Sequence, residues 1–600
     1  MFFSCFLGKR GDDTQWQAAL DDHARWLGLA VHRESCPCGE GWLFAAAWLM
    51  PAAAPGFLPI RKREEQWSCS TDTGLADEAA LDAEIGRAEK PGAFNYPDNP
   101  IITFLPENRT LRITVPPTAP EQCFVAVDHR GLMMGNDLRL LRRWKPGALD
   151  PAAVYALLQF RAIPPPLSLY TGIARIPNGH QFLGHAGEAS FTFTPFFFPA
   201  QAGTREELTL ISEEEALHRF QQHLDENLHG LPDSSLLFFS GGVDSTLLAA
   251  RLTALGKKKV QLVNFTFGPE DPEGKLALEM AALLGMPIEQ LAYHEEEFPG
   301  MLTRIGREFS FPFGDSSAIP VNLMIHATLP RVGSARTVIE GVGPDQTFGA
   351  KLQDKKWGWA EAAPALVRGA AAAVYKGMAL WKKESPPGTM ANILRKRWQM
   401  PREQAQIMAI NALNGIAYAT PEPLRRELDQ AIHLHYHRLG EGLDADDLSC
   451  LINLLHFSIG TVCAKSTDLY RLYGLRPVNP FMAREVLELS FALPHHIRCA
   501  QGKPKSLLKK LAARSVPPAL IYRPKQGFDP PLARMARHPV MLEYLHSLVL
   551  NDANPLLAYL HKPVMKKMVG WIEGGRRLSY DAYRFIWMVL FASLWLDQQD

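Results

Sequence analysis

Six hundred residues exceed what one ordinary hydrophobic core can organise, so two or more domains are expected. Hydrophobic residues at 47% and charged residues at 21% are the balance of a folded chain rather than a disordered one. The 63 basic and 63 acidic side chains cancel, which argues against a dedicated nucleic-acid binder, a class that carries a basic excess.

The chain opens MFFSCFLGKRGDD, which lacks the basic start and long apolar run of a signal peptide. A cytoplasmic protein is expected, with neither membrane nor nucleic acid as partner. Two oily stretches, 43–50 and 585–596, fall short of the ~20 residues that cross a bilayer and read as buried core. The eight cysteines are scattered without the density of a disulfide framework. Cys36-Pro-Cys38 has no second cysteine or histidine pair to complete a metal site. Residues 1–200 read as a mixed, strand-rich region whose short apolar runs alternate with Pro/Gly turns.

A stretch of small residues, proline and glycine at 188–204 marks a boundary, and helical spacing follows over 205–228. Two domains are expected, 1–200 and 205–600. In the second, strands at 236–240, 260–267 and 336–341 alternate with helices at 245–255 and 275–285. That alternation predicts a parallel sheet with helices on both faces, an α/β fold. Residues 351–402 carry eleven basic side chains against three acidic ones. They read as a solvated helical face or as a docking surface for an acidic partner.

The chemistry concentrates in Ser240-Gly241-Gly242-Val243-Asp244-Ser245, between a buried strand and a helix. The two glycines let the backbone turn tightly and approach a phosphate. The helix start offers N–H groups and a positive dipole end. Ser240 and Ser245 add hydroxyls, and Asp244 supplies a hard oxygen for Mg²⁺. No lysine follows the glycines as it does in a Walker loop, so this loop suits pyrophosphate as a leaving group.

SGGVDS resembles the PP-loop of the ATP pyrophosphatase superfamily. Gly341-Val342-Gly343-Pro344-Asp345-Gln346-Thr347-Phe348-Gly349 looks like the G-x-G-x-D-x-x-F-G segment of asparagine synthetases, and that resemblance makes Asp345 a second Mg²⁺ ligand. Phe348 and Gly349 read as packing and turn residues. Lys503-Pro504-Lys505-Ser506 and Arg523-Pro524-Lys525-Gln526-Gly527-Phe528 are also similar to the family, whose catalytic lysine falls on Lys525, with Lys505 a second candidate for contact with phosphates. The resemblance implies ATP and Mg²⁺ as cofactors, with adenine over Val263, Asn264 and Phe265 beside Gly341. It covers about 230–600 well and 1–200 weakly. The fold it implies is a degenerate class II amidotransferase-like α+β domain followed by a PP-loop, adenine nucleotide α-hydrolase-like, parallel-sheet synthetase domain.

Two departures shape the expected function. Asparagine synthetases begin Met-Cys, whereas position 2 here is Phe2 and the first thiol is Cys5, so ammonia from glutamine is not expected. The second departure is Val342, where asparagine synthetases carry glutamate and β-lactam synthetases a tyrosine. Valine moves no proton, so the base for the attacking amine is unassigned. What remains resembles the lasso-peptide cyclases, which close a precursor peptide's N-terminal amine onto an Asp or Glu side chain, and which work with a leader peptidase and a leader-binding protein. The alternative is an asparagine or β-lactam-type synthetase on a small amino acid.

Overall fold

The computed structural model describes residues 2–37, 41–51, 60–62, 66–71, 77–188, 191–204, 206–268, 271–331, 337–348, 363–378, 413–499, 504–523 and 530–599. Among the described residues the N-terminal third holds twelve short strands: β1 (Phe2–Lys9), β2 (Ala30–Pro37), β3 (Trp42–Met50), β4 (Ile60–Lys62), β5 (Trp67–Ser70), β6 (Ile101–Leu105), β7 (Thr110–Val115), β8 (Cys123–Asp128), β9 (Gly131–Gly135), β10 (Ile173–Ile176), β11 (His180–His185) and β12 (Phe191–Pro195). They form two six-stranded sheets, ordered β10-β8-β9-β1-β3-β2 and β12-β11-β7-β6-β5-β4, with antiparallel pairing throughout.

Side chains alternate faces along a strand, and β1 shows the consequence. Phe3, Cys5 and Leu7 point between the sheets, where they meet Phe44, Trp48, Ile102, Phe104 and Leu111. Phe2 and Phe6 point the other way, toward α1 (Asp13–Leu27), and the Phe6 ring stacks 6.1 Å from that of Trp16. On the far side, α2 (Glu78–Glu89) covers the second sheet through Leu81, Ile85 and Ala88 against Ile101. The layers therefore run helix, sheet, sheet, helix. Burying each large side chain of this kind stabilises by roughly 1.5–3 kcal/mol. The oily stretch 43–50 is β3, and it is buried as expected.

The helical stretch expected over 205–228 is broken in two, a single turn at Glu206–Thr209 and then α3 (Glu213–His229). Ser212 ends the first piece by capping the second, its hydroxyl accepting from the Glu215 amide, and three glutamates complement the helix dipole. Next comes a parallel sheet made from β13 (Leu236–Phe238), β14 (Gln261–Thr266), β15 (Ile288–Ala292), β16 (Thr337–Ile339) and β17 (Arg476–Val478), in the order β15-β14-β13-β16-β17. Leu237 lies opposite Leu262 on one side and Ile339 on the other. α4 (Val243–Ala254) joins β13 to β14, and α5 (Pro272–Leu284) joins β14 to β15. The chain order reverses between β13 and β16, and in open parallel sheets ligands bind outside the strand ends at such a reversal.

Three more helices complete the surroundings: α6 (Ala464–Tyr473), α7 (Ser506–Ala512) and α8 (Tyr580–Asp597). α8 contains the oily run 585–596 and is buried along most of its length, with the Trp595 indole donating to the Phe309 carbonyl at 2.7 Å. Among the described residues no single helix is long and apolar enough to cross a membrane.

Candidate active site

The loop 239–242 turns from β13 into α4 at the C-terminal edge of the parallel sheet. Gly241 has φ +68°, and a Cβ there would lie 3.0 Å from both the backbone nitrogen and Cα of Ala277. Glycine is required on both counts. Gly242 caps α4, and its amide donates to Ser240 Oγ at 3.2 Å. Ser245 Oγ lies 3.3 Å from Ser240 Oγ and 3.3 Å from the Gly242 carbonyl. Val243 starts the helix, so the SGGVDS stretch forms the expected strand-to-helix turn with the dipole end of a 12-residue helix aimed into the cleft.

Lys505 decides the electrostatics of this cleft. Its Nζ lies 2.5 Å from Asp244 Oδ2 and 2.8 Å from Asp345 Oδ1, drawing together two carboxylates 101 positions apart in sequence. Burial pushes the ammonium pKa down, but the two carboxylates prevail and hold it above its ordinary value. The residue is 6% exposed and has φ +57°, a strained conformation for a side chain other than glycine. Its amide donates to the Phe348 carbonyl at 2.9 Å, which ties the start of α7 to the Gly341–Phe348 segment. Phe348 is itself buried, 5.0 Å from the Phe220 ring of α3, as a packing residue should be.

Gly341 completes the junction, since a Cβ on it would lie 3.4 Å from Asp244 Cβ. The cleft thus gathers Ser240, Asp244, Ser245, Gly341, Asp345 and Lys505. Val263, Asn264 and Phe265 lie on the neighbouring strand, 2–4% exposed. The Asn264 amide donates to the Phe239 carbonyl at 2.8 Å and accepts from Gln290 at 3.0 Å, so this side chain braces β13, β14 and β15. Val342 is partly buried against the core. Lys525 lies outside the described residues, and of the basic stretch 351–402 only 363–378 is described.

Asp244 and Asp345 offer hard oxygen donors on one point, the donor chemistry that Mg²⁺ prefers. Two carboxylates suit an ion whose other ligands come from substrate phosphates. Among the described residues no group of three or more His, Cys, Asp or Glu side chains is arranged to hold a metal by itself.

One feature near the cleft has no sequence signature. Glu340, the residue before Gly341, accepts a hydrogen bond from the Tyr470 hydroxyl of α6 at 2.6 Å. Burial raises the pKa of both groups, and the Glu340 charge raises that of Tyr470 further. The pair is 130 positions apart in sequence, so no spacing rule would find it. The next residue of α6, Arg471, pairs with Glu121 and so fastens α6 to the N-terminal region, while Asp468, one turn earlier on α6, holds its guanidinium in place. Cys5, the first thiol of the chain, lies between those sheets with its pKa pushed well up by burial and then by Cys69.

The sequence matches the Asparagine synthase family over residues 234–597, which includes every residue of this cleft. It is 23% identical over 501 residues to the glutamine-hydrolysing asparagine synthetase 1 of Bacillus subtilis, across 80% of this chain and 72% of that protein. Among solved structures, the ammonia-dependent NAD synthetase of Campylobacter jejuni is 13% identical, aligned over 32% of this chain and 99% of its own with a TM-score of 0.18. The glutamine PRPP amidotransferase of B. subtilis is 8% identical over 57% and 82% of the two chains, with a TM-score of 0.21. With the family matched over well more than half its length, the chain belongs to the asparagine synthase family and is an ATP-dependent ligase that forms amide bonds.

Proposed function

We propose that this ligase adenylates an Asp or Glu side-chain carboxylate of a precursor peptide and closes it onto the peptide's own N-terminal amine. The observation that carries the reading is the state of the thiols. Cys5 is sealed between two sheets as a high-pKa thiol, and of the seven described cysteines six are buried and Cys36 is half-buried. A nucleophile that releases ammonia from glutamine must be exposed and easily ionised. The helix–sheet–sheet–helix region then acts as a degenerate amidotransferase scaffold, and the nitrogen arrives on the substrate.

In this reading the carboxylate oxygen attacks the α-phosphate of ATP and pyrophosphate leaves over the 240–245 loop. Lys505 and Lys525 offset the charge that develops on it. Asp244 and Asp345 would hold Mg²⁺, which would neutralise phosphate charge there. The amine then displaces AMP from the acyl adenylate. Having both groups on one molecule replaces an encounter in solution with a local step, worth effective molarities of roughly 10⁵ M or more. A leader-binding protein and a leader peptidase are the partners this substrate calls for. The likeness to a B. subtilis asparagine synthetase favours a second reading, amidation of free aspartate.

ATP–pyrophosphate exchange separates the two. Exchange driven by an Asp/Glu-containing peptide, with a product lighter by one water, is the expected outcome. Exchange driven by free L-aspartate alone would hand the site to the second reading.

A further inference from the structure

With valine at 342, the proton acceptor for the attacking amine must come from elsewhere, and the strand end beside the nucleotide loop supplies one. β16 stops at Ile339, and the Glu340 amide is anchored by the Val478 carbonyl of β17 at 2.9 Å. Glu340 therefore sits at the C-terminal edge of the sheet, one residue from Gly341, whose backbone abuts Asp244. Glu340 as a residue is half-buried, and its carboxyl lies deep enough that burial dominates its pKa. The Tyr470 hydroxyl takes Oε1 at 2.6 Å, while Oε2 has only a long contact with Ser466 Oγ at 3.5 Å. The Phe238 ring, at the end of β13, lies 6.4 Å from the Tyr470 ring and walls the pair on its sheet side.

We infer that Glu340 accepts the proton from the amine that attacks the acyl adenylate, and that Tyr470 holds its carboxylate in position. This rests on the amine-attack reading above. The nitrogen lone pair forms the C–N bond, and the acyl C–O bond to AMP breaks, AMP leaving with that electron pair. The proton shed by nitrogen passes to Glu340 Oε2. The charged or titratable groups facing Glu340 are Tyr470, Lys465 and Cys463, all on α6 or its start, with the Ser466 hydroxyl among them. Lys465 is itself held by Asp315 at 3.2 Å and Ser317 Oγ at 2.7 Å, so it lends positive potential without closing the pair. Burial works against that potential and against the Tyr470 and Ser466 hydrogen bonds, and it prevails: it lifts the carboxyl above its ordinary value, which makes it a better proton acceptor near neutral pH. Tyr470 donates to the carboxylate and never needs to ionise.

The two half-reactions distinguish this role from a structural one. Glu340→Gln and Tyr470→Phe are compared with the unaltered protein, using ATP with the Asp/Glu peptide or with L-aspartate and ammonium. Glu340→Gln should keep ATP–pyrophosphate exchange within about threefold and lose at least ~100-fold in amide formation, the scale of lost general base catalysis. Hydroxylamine is largely unprotonated at neutral pH, and once it has attacked, its weakly basic nitrogen gives up its proton to water readily, so hydroxamate formation should fall far less than amide formation in Glu340→Gln. Tyr470→Phe should show the same split at roughly tenfold. Exchange and amide formation falling together, or amide formation near normal, would overturn the assignment of Glu340. If neither carboxylate drives exchange in the unaltered protein, the amine-attack reading falls and this one falls with it.

Discussion

The two halves of this chain use buried polar groups in opposite ways. In the N-terminal sheets, Asn136 accepts from the Phe3 amide at 2.7 Å and donates to Glu121 at 2.9 Å, and Glu121 pairs with Arg471. Asn136, Glu121 and Arg471 answer one another, and this network braces the helix that carries Tyr470. In the parallel-sheet half, Asp244, Asp345 and Lys505 converge at an open strand edge, where phosphate can replace one partner of an existing ion pair. Charge that cancels within the protein braces it. Charge gathered at the reversal point of a parallel sheet makes a site.

The sharpest way to break that contrast is to remove one member of the convergent set. Asp244→Asn keeps the shape but withdraws a hard anionic oxygen and half of the field on Lys505. Exchange of labelled pyrophosphate into ATP should fall ~100- to 1000-fold, the scale for one preorganised electrostatic contact. The melting temperature should stay close to that of the unaltered protein. Near-normal exchange would mean that the loop at 240–245 is not where pyrophosphate leaves.

A smaller effect tests how the halves are joined. His180 of β11 lies 5.4 Å, ring to ring, from His435, and His456 bonds the Tyr436 hydroxyl at 3.0 Å. All three histidines are buried, and burial lowers their pKa values, to about 4 for His180 and for His456. In the unfolded chain each titrates near ~6.5, so as pH falls below that the unfolded state binds protons that the native state refuses. Stability is therefore complete above about pH 6.5 and is lost between there and pH 4. At pH 5 the loss is roughly 2 kcal/mol for His180 and the same for His456, at 1.36 kcal/mol per pKa unit. Melting temperatures measured from pH 7.5 to 5 should fall steeply, and less steeply in a His180→Gln/His456→Gln variant. Equal slopes would show that these histidines do not carry the acid response.

What the sequence revealed follows the range of its interactions. The strands expected at 236–240, 260–267 and 336–341 appear as β13, β14 and β16, and the helices at 245–255 and 275–285 as α4 and α5, because each is a local apolar run with its own turn chemistry. β15 and β17 went unread. Ile288–Ala292 mixes polar and apolar residues, and Arg476–Val478 is three residues long. The tight turn at 240–245 was legible because its glycines and hydroxyls are contiguous. The Lys505 bridge spans 261 positions and the Glu340–Tyr470 pair 130, and such contacts are set by packing that leaves no periodicity behind.

The smallest expected effect bears on the quieter half. Cys5 is buried against Trp48, Phe104 and the rest of the inter-sheet core, so Cys5→Ala removes one sulfur and leaves a small void. That should cost about 1 kcal/mol of stability, near the centre of the range for single substitutions. Amide formation with an amine donor should change by less than about twofold, since no step of the synthetase chemistry touches the N-terminal sheets. The thiol should also resist alkylation in the native protein at neutral pH, because its pKa is raised and solvent does not reach it. A variant that keeps amine-dependent activity but loses a glutamine-dependent one would place a working glutaminase at Cys5. The first half would then be a second catalytic centre rather than a brace, and the nitrogen source assigned to this ligase would have to change.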